Sequence, residues 1–285
     1  MDRKEKEKDL WGLLGFDTLI VLACLVVIAL NLGIAGSMPL KLLAGILPLL
    51  LIIFHAMWTL GAWRGLGFLA LSALIGFGFE VLGVHTGIFG RYVYHMDIPA
   101  VLGVPILVTL YWAVFTYIGY SITTSFLYWS GWGKPSIRNS DWWLLAWAVF
   151  MDGVTVTAID LFMDPLQVKL GSWSWLEHGS YLGIPLRNFA GWFMVTIIIT
   201  ALFRIFEFYH PRRLVGVSKK VYFVPLCAYI VLASGFMILS LVFRMSTLTV
   251  LGSLLMLAVV ALNLAWYEKR LLLRNHERPL SEIFD

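Results

Sequence analysis

Eight apolar stretches of about twenty residues each, nearly free of charge, dominate this chain; they run from about 13 to 33, 39 to 60, 63 to 83, 104 to 126, 142 to 163, 183 to 206, 221 to 242 and 247 to 267. A helix of that length covers the roughly 30 Å hydrocarbon core of a bilayer, where every backbone N–H and C=O must be bonded within the protein. The expected fold is therefore all-α: a polytopic transmembrane helical bundle of about eight spans, with 1–285 as one membrane domain and tails at 1–10 and 268–285. With 60% hydrophobic and 13% charged residues, the chain has too few charges to clothe a water-facing globule. The charged segment before the first stretch carries no small-residue cleavage pattern, so that stretch reads as a retained first span.

Eight spans put both termini on one side, and the basic residues say which. Sixteen of the 21 Lys and Arg residues fall in the termini and the even-numbered loops, Arg204 among them; Lys41, Arg91, Lys169, Arg187 and Arg244 fall on the other side. The bias places both termini in the cytoplasm of a multi-pass cell-membrane protein. The net charge of +4 resides in these short clusters, so it reports topology and contact with membrane lipids and gives no reason to expect a nucleic-acid partner. Cys24 and Cys227 lie in apolar runs, which suggests neither a disulfide framework nor a cysteine metal site.

The two long connections on the far side, 84 to 103 and 164 to 182, carry Phe89, Tyr92, Tyr94, Trp173, Trp175 and Tyr181 among glycines. Such loops are expected to lie at the interface or fold back over the bundle. Sliding the chain by eighty residues brings Glu80 onto Asp160, Leu102-Gly103-Val104-Pro105 onto Leu182-Gly183-Ile184-Pro185, and Trp112 onto Trp192. The third and fifth spans run in one direction. The expectation is a parallel internal repeat of spans three-four and five-six, with motif segments 80–112 and 160–192 and a site at their interface.

Carboxylates inside spans cost roughly 2.5–3.5 kcal/mol each to insert, so they mark candidate sites. Glu80 lies near the outer end of the third span, while Asp160 and Asp164 share one face of the fifth, with Asp152 about two turns deeper. Glu80 and Asp164 have a plainer reading as interfacial groups paired with Arg91 and Arg187, and Asp152 as a packing device. A carboxyl group withdrawn from water keeps its proton more readily and becomes a general acid. The nearby aromatic faces stabilise cations without reacting, although an interfacial belt would look the same. Asn188 is placed to orient a carboxylate or a water, or to cap its helix. His85, His95 and His178 share the outer side without a recognisable metal-ligand spacing, so no metal is assigned.

The run Glu80-Val-Leu-Gly-Val-His-Thr-Gly-Ile-Phe-Gly-Arg-Tyr-Val-Tyr94, with Gly103-Val-Pro105 and Trp112, resembles the first signature of the membrane carotenoid-biosynthesis hydratases, the γ-carotene and bisanhydrobacterioruberin hydratase type. Asp160-Leu-Phe-Met-Asp164-Pro, Trp173-Ser-Trp175, Tyr181-Leu-Gly-Ile-Pro185-Leu-Arg-Asn188 and Gly191-Trp192 resemble the second. Met96-Asp-Ile-Pro-Ala100 departs from the Leu-Gly-Pro expected after the Tyr-x-Tyr.

The resemblance implies an enzyme without a cofactor that adds water to the terminal 1,2 double bond of an acyclic carotenoid end group. It implies Asp160 and Glu80 as the acid and its partner, in either order, with Asp164 and Asn188 positioning water. Tyr92, Tyr94, Trp173, Trp175, Tyr181, Trp112, Trp192 and Asp152 are the expected substrate-binding residues. The implied partners are a carotenoid arriving from the lipid phase, water, and other carotenoid enzymes, with the site near the outer leaflet. A carotenoid cyclase would use the same acids and aromatics but exclude water. A proton-coupled transporter of a lipophilic substrate would also use a repeat and intramembrane acids, and a lipid-binding or assembly protein would use the acids only to pack helices.

Overall fold

The computed structural model describes residues 38–130, 142–210 and 224–276. In chain order these form α1 (Met38–Leu60), α2 (Ala62–Thr86), β1 (Tyr92–Tyr94), β2 (Ala100–Val101), β3 (Val104–Pro105), α3 (Ile106–Ser130), α4 (Trp142–Leu170), β4 (Trp173–Trp175), α5 (Leu186–Tyr209), α6 (Val224–Val242) and α7 (Ser246–His276). Six of these helices are long and apolar enough to cross a membrane, and α1 contributes a shorter apolar stretch, Ile46–Leu60. Seven of the eight expected spans coincide with a helix. The remaining one, 13 to 33, lies outside the described residues together with Cys24 and the N-terminal tail, and α7 continues to His276, past the expected boundary at 267.

Because lipid is as apolar as leucine, burial in such a bundle reflects which helices are surrounded by others rather than which are most hydrophobic. The most apolar windows of α3 and α4 are 67% and 61% buried, against 33% for α2 and α7, so α3 and α4 form the centre. Tyr117 and Ile122 of α3 and Ile159 and Phe162 of α4 are fully buried in one core, with Tyr229 of α6. Leu74, Leu241 and Leu254 point away from the bundle, as a lipid-facing surface requires.

Two of the helices that overrun the boundaries read from hydropathy carry the acids. α2 continues to Thr86 and closes at Gly87, whose left-handed backbone (φ 67°) returns its N–H to the carbonyl of Gly83. α4 passes through Asp164 and Pro165 to Leu170, so Asp164 is a helical residue and not the start of a loop. Pro165 has no N–H for the carbonyl four residues earlier, which belongs to Leu161. The Tyr181 hydroxyl donates to that carbonyl at 3.0 Å, supplying the bond the proline removes.

The connections beyond α2 and α4 are structured. β1 and β4 pair antiparallel with Tyr92 opposite Trp175, Val93 opposite Ser174 and Tyr94 opposite Trp173. The His95 N–H extends the ladder to the Ser172 carbonyl at 2.9 Å. Successive side chains on a strand alternate in direction, so Tyr92 and Tyr94 share a face, as do Trp173 and Trp175. β2 and β3 form a hairpin whose two turn residues, Leu102 (φ 50°) and Gly103 (φ 80°), are both left-handed. Leu182 (φ 52°) and Gly183 (φ 90°) turn the chain in the same way between Tyr181 and Ile184. Two left-handed residues in succession make the primed turn whose twist suits a two-residue hairpin.

Candidate active site

The ends of α2, α4 and α5 converge under the β1–β4 ribbon, and each contributes acid or amide. Glu80 is on α2, three carboxyl-to-donor bonds deep in a protein environment: its Oε2 accepts from the Tyr92 and Tyr94 hydroxyls, both at 2.7 Å, and its Oε1 from Trp112 Nε1 at 3.0 Å. The alternating strand explains this directly, since a Tyr-x-Tyr places both phenols over one target. Burial first, and the Glu80 charge second, push both phenols well above the ordinary tyrosine value, so they remain O–H donors.

Asp160 and Asp164 lie one helical turn apart on α4, each 1% exposed. Asn188, in the first turn of α5, bridges them: its Nδ2 donates at 2.9 Å to Asp160 Oδ2 and at 2.9 Å to Asp164 Oδ2. Asp164 Oδ1 also accepts from Trp173 Nε1 at 2.6 Å and Trp175 Nε1 at 3.3 Å. The aromatic side chains that hold these acids also touch each other. Tyr92 packs on Trp175 at 5.0 Å between centroids and Tyr94 on Trp173 at 5.9 Å, while Trp112 stacks on Trp192 at 4.1 Å.

A cavity of about 20 Å³ lies between α2 and α5 and is lined by Glu80, Tyr92, Trp112, Asn188 and Trp192 with Phe79, Phe89, Gly191 and Val195. Among the described residues none of Glu80, Asp160 or Asp164 is in an ion pair. Arg187 and the Arg91 N–H are instead gathered by Glu177 on the rim. The Arg91 N–H first and Arg187 second hold the Glu177 carboxyl below its usual range. The pairings of Glu80 with Arg91 and of Asp164 with Arg187 are therefore not made.

Two sequence candidates stand apart from this group. The Tyr181 hydroxyl is committed to Leu161, with its ring edge-on to Phe189 at 5.2 Å. Asp152 is fully buried and gripped by Arg204, whose Nε reaches Oδ2 at 2.6 Å and Nη2 reaches Oδ1 at 2.8 Å. Arg204 also stacks over the Tyr120 ring at 4.4 Å, and the Tyr120 hydroxyl donates to Glu207 at 2.6 Å. Arg204, counted with the loops in the charge tally, thus sits inside α5 and is 7% exposed. Arg204, Glu207 and Tyr120 were not singled out in the sequence. The available signal was Asp152 itself, because a carboxylate deep in a span requires a counter-charge on a neighbouring helix.

Removing that counter-charge leaves a buried anion alone. Arg204→Met is expected to cost about 3–5 kcal/mol, whereas the paired change Asp152→Asn with Arg204→Met recovers much of the loss, because the fully buried Asp152 charge is then no longer stranded. Denaturant titration of the detergent-solubilised variants measures both. Equal destabilisation of the single and double variants would contradict the pairing.

Among the described residues, no group of three or more His, Cys, Asp or Glu is arranged to hold a metal ion. His95, one of the outer histidines, shares a hydrogen bond with Ser174 at 2.8 Å.

Residues 40–259 match a family model described as carotenoid biosynthesis protein. A bisanhydrobacterioruberin hydratase from Haloarcula japonica is 30% identical over 169 residues, covering 58% of this chain and 50% of that protein. The chain thus spans about half the length of the curated relative it matches. No solved structure matches.

Proposed function

The chain belongs to the carotenoid biosynthesis protein family, and from that premise we propose that it is a carotenoid hydratase, adding water across the terminal 1,2 double bond of an acyclic end group without a cofactor. The observation that carries this reading is the enclosure of three carboxyl groups, none ion-paired among the described residues, beneath a collar of tyrosines and tryptophans. Acids enclosed by aromatic faces suit chemistry that makes and quenches a carbocation.

The roles follow from the donors each acid receives. Glu80 receives three and so does Asp164, whereas Asp160 receives one, from Asn188, and is assigned as the proton donor. In the proposed step the Asp160 proton passes to the CH carbon of the terminal double bond, and the positive charge forms on the dimethyl-substituted carbon. The faces of Trp112 and Trp192 and the Glu80 carboxylate stabilise that charge. Water held by Asn188 and Asp164 supplies its oxygen to the cation and gives a proton to Glu80. Return of that proton to Asp160 restores the site, and the net change is one added water giving a tertiary alcohol.

The same reading places the site near the outer leaflet of the cell membrane, with both termini cytoplasmic, so that the polyene enters sideways from lipid and water arrives from the aqueous face. It also treats segments 80–112 and 160–192 as a duplicated unit. Support comes from the matching left-handed turns at Leu102-Gly103 and Leu182-Gly183 and from the Trp112–Trp192 stack, each pair eighty residues apart.

The test is mass spectrometry of pigments from lycopene-producing cells with and without the protein, with a second acyclic carotenoid host run in parallel. A more polar pigment heavier by one water supports the hydratase, and its oxygen should come from labelled water. A product of unchanged mass with a shifted absorption spectrum would replace hydration by cyclisation, and no new pigment in either host would remove the reading.

A further inference from the structure

The closed space at the site is about 20 Å³, room for one water-sized group and far below the roughly 300–1,000 Å³ of sites that enclose whole ligands, so even the tip of a long molecule enters only if the lining moves. That tip must pass a wall. Of the nine lining residues, only Phe89 and Tyr92 lie outside helices. Tyr92 is fixed twice, by pairing with Trp175 and by its bond to Glu80. Phe89 is in neither a helix nor a strand, and it is half-buried.

The ring occupies a slot made by absent side chains. A Cβ on Gly191 of α5 would come within 2.5 Å of Phe89 Cδ1, and one on Gly83 of α2 within 3.1 Å of Phe89 Cδ2. The ring therefore lies across the seam between α2 and α5, beside Phe79 at 6.2 Å between centroids. Its backbone is flanked by Gly87 (φ 67°) and Gly90 (φ 113°), and the adjacent Ile88 is 54% exposed. Two glycines in conformations that side chains disfavour bracket the two apolar residues, and the Gly90 N–H bonds to the Gly87 carbonyl at 3.0 Å, so Ile88 and Phe89 are the tip of a tight strap whose glycine ends are its available hinges.

We propose that Phe89 is a specificity-determining residue: its ring closes the lateral mouth of the cavity, withdraws on the Gly87–Gly90 strap to admit the end of a polyene, and by its bulk admits an acyclic end group while refusing a cyclic one. The inference rests on the proposed hydration for the identity of the substrate. Phe89 takes no part in proton transfer, so its effect belongs to binding and selection.

The experiment uses the full chain in lipid nanodiscs as wild type, Phe89→Ala and Phe89→Trp, each checked for monodispersity and helical content. Two probes are compared, lycopene and a carotene with a ring at both ends. Binding is read by quenching of tryptophan fluorescence, referenced to a tryptophan peptide in the same discs, and turnover of lycopene by product mass. Phe89→Ala is expected to bind the ring-ended probe roughly ten-fold or more tightly than the wild type does, narrowing its preference for lycopene. Phe89→Trp is expected to raise KM for lycopene about ten-fold with little change in kcat, the signature of altered entry rather than altered chemistry. Unchanged end-group preference and unchanged KM in two folded variants would overturn the proposal. The binding comparison decides the door even if the wild type adds no water to lycopene, an outcome that counts against the hydratase reading alone.

Discussion

Asp160→Asn is expected to lower the proposed hydration by roughly 10²–10⁴-fold, the range by which a positioned general acid accelerates proton transfer, and to leave the bundle folded. The substitution is conservative in shape. An asparagine oxygen at this position still accepts the bond that Asn188 Nδ2 gives to Asp160 Oδ2 at 2.9 Å, so the link between α4 and α5 survives while the acidic proton is lost. Turnover of an acyclic carotenoid by purified protein, with helical content measured on the same sample, separates the two effects. Full activity in a folded Asp160→Asn variant would move the acid role to another carboxyl. Collapse of the fold would show instead that the group is needed for packing.

Glu80→Gln is expected to lower turnover by about 10²–10³-fold, the loss seen when one preorganised electrostatic group is removed from a site of developing charge. Glu80 offers acceptors to three donors, two hydroxyls on Oε2 and one indole N–H on Oε1. A glutamine amide can meet only one side of that demand: its NH₂ must face either the two tyrosines or Trp112. The hydroxyls can rotate, so the amide is best accommodated against them, with its oxygen on the indole. The folded state then persists with the negative charge gone. Measured kcat falling with KM nearly unchanged identifies a transition-state role, whereas a rise in KM alone would make Glu80 a binding group.

The two largest effects thus fall on a pair that the sequence already aligned at a spacing of eighty. What distinguishes Glu80 from Asp160 is the number of donors each acquires, and those donors come from distant segments. The Trp-x-Trp of β4 and Asn188 of α5 converge on Asp164 only because the connections fold back over the helix ends. Loops read from hydropathy carry no such geometry. The overrun of α4 has a similar origin: hydropathy ends the span at 163, yet Tyr181 satisfies the carbonyl that Pro165 frees, so the helix continues.

Arg204 and Phe89 mark the two ways in which reading residues one segment at a time falls short. A cation near the end of an apolar run looks like a loop charge until the facing helix is known to carry Asp152. A phenylalanine between glycines looks like an interfacial anchor until Gly83 and Gly191 are found on either side of its ring. Neither relation has a sequence periodicity, because each joins residues on different helices.

By itself the sequence determined that the chain is an integral membrane protein built of long apolar helices, and which acids and aromatics are costly enough to need a reason. Those are consequences of local composition and of the price of polar groups in hydrocarbon. Only the tertiary structure decided that Asn188 bridges two aspartates, that Asp152 belongs with Arg204 away from them, and that Phe89 lines the cavity between Gly83 and Gly191. The physical reason is that hydropathy acts along one helix at a time, whereas hydrogen bonds, ion pairs and close packing are decided between helices, at distances of a few ångströms that the order of residues does not encode.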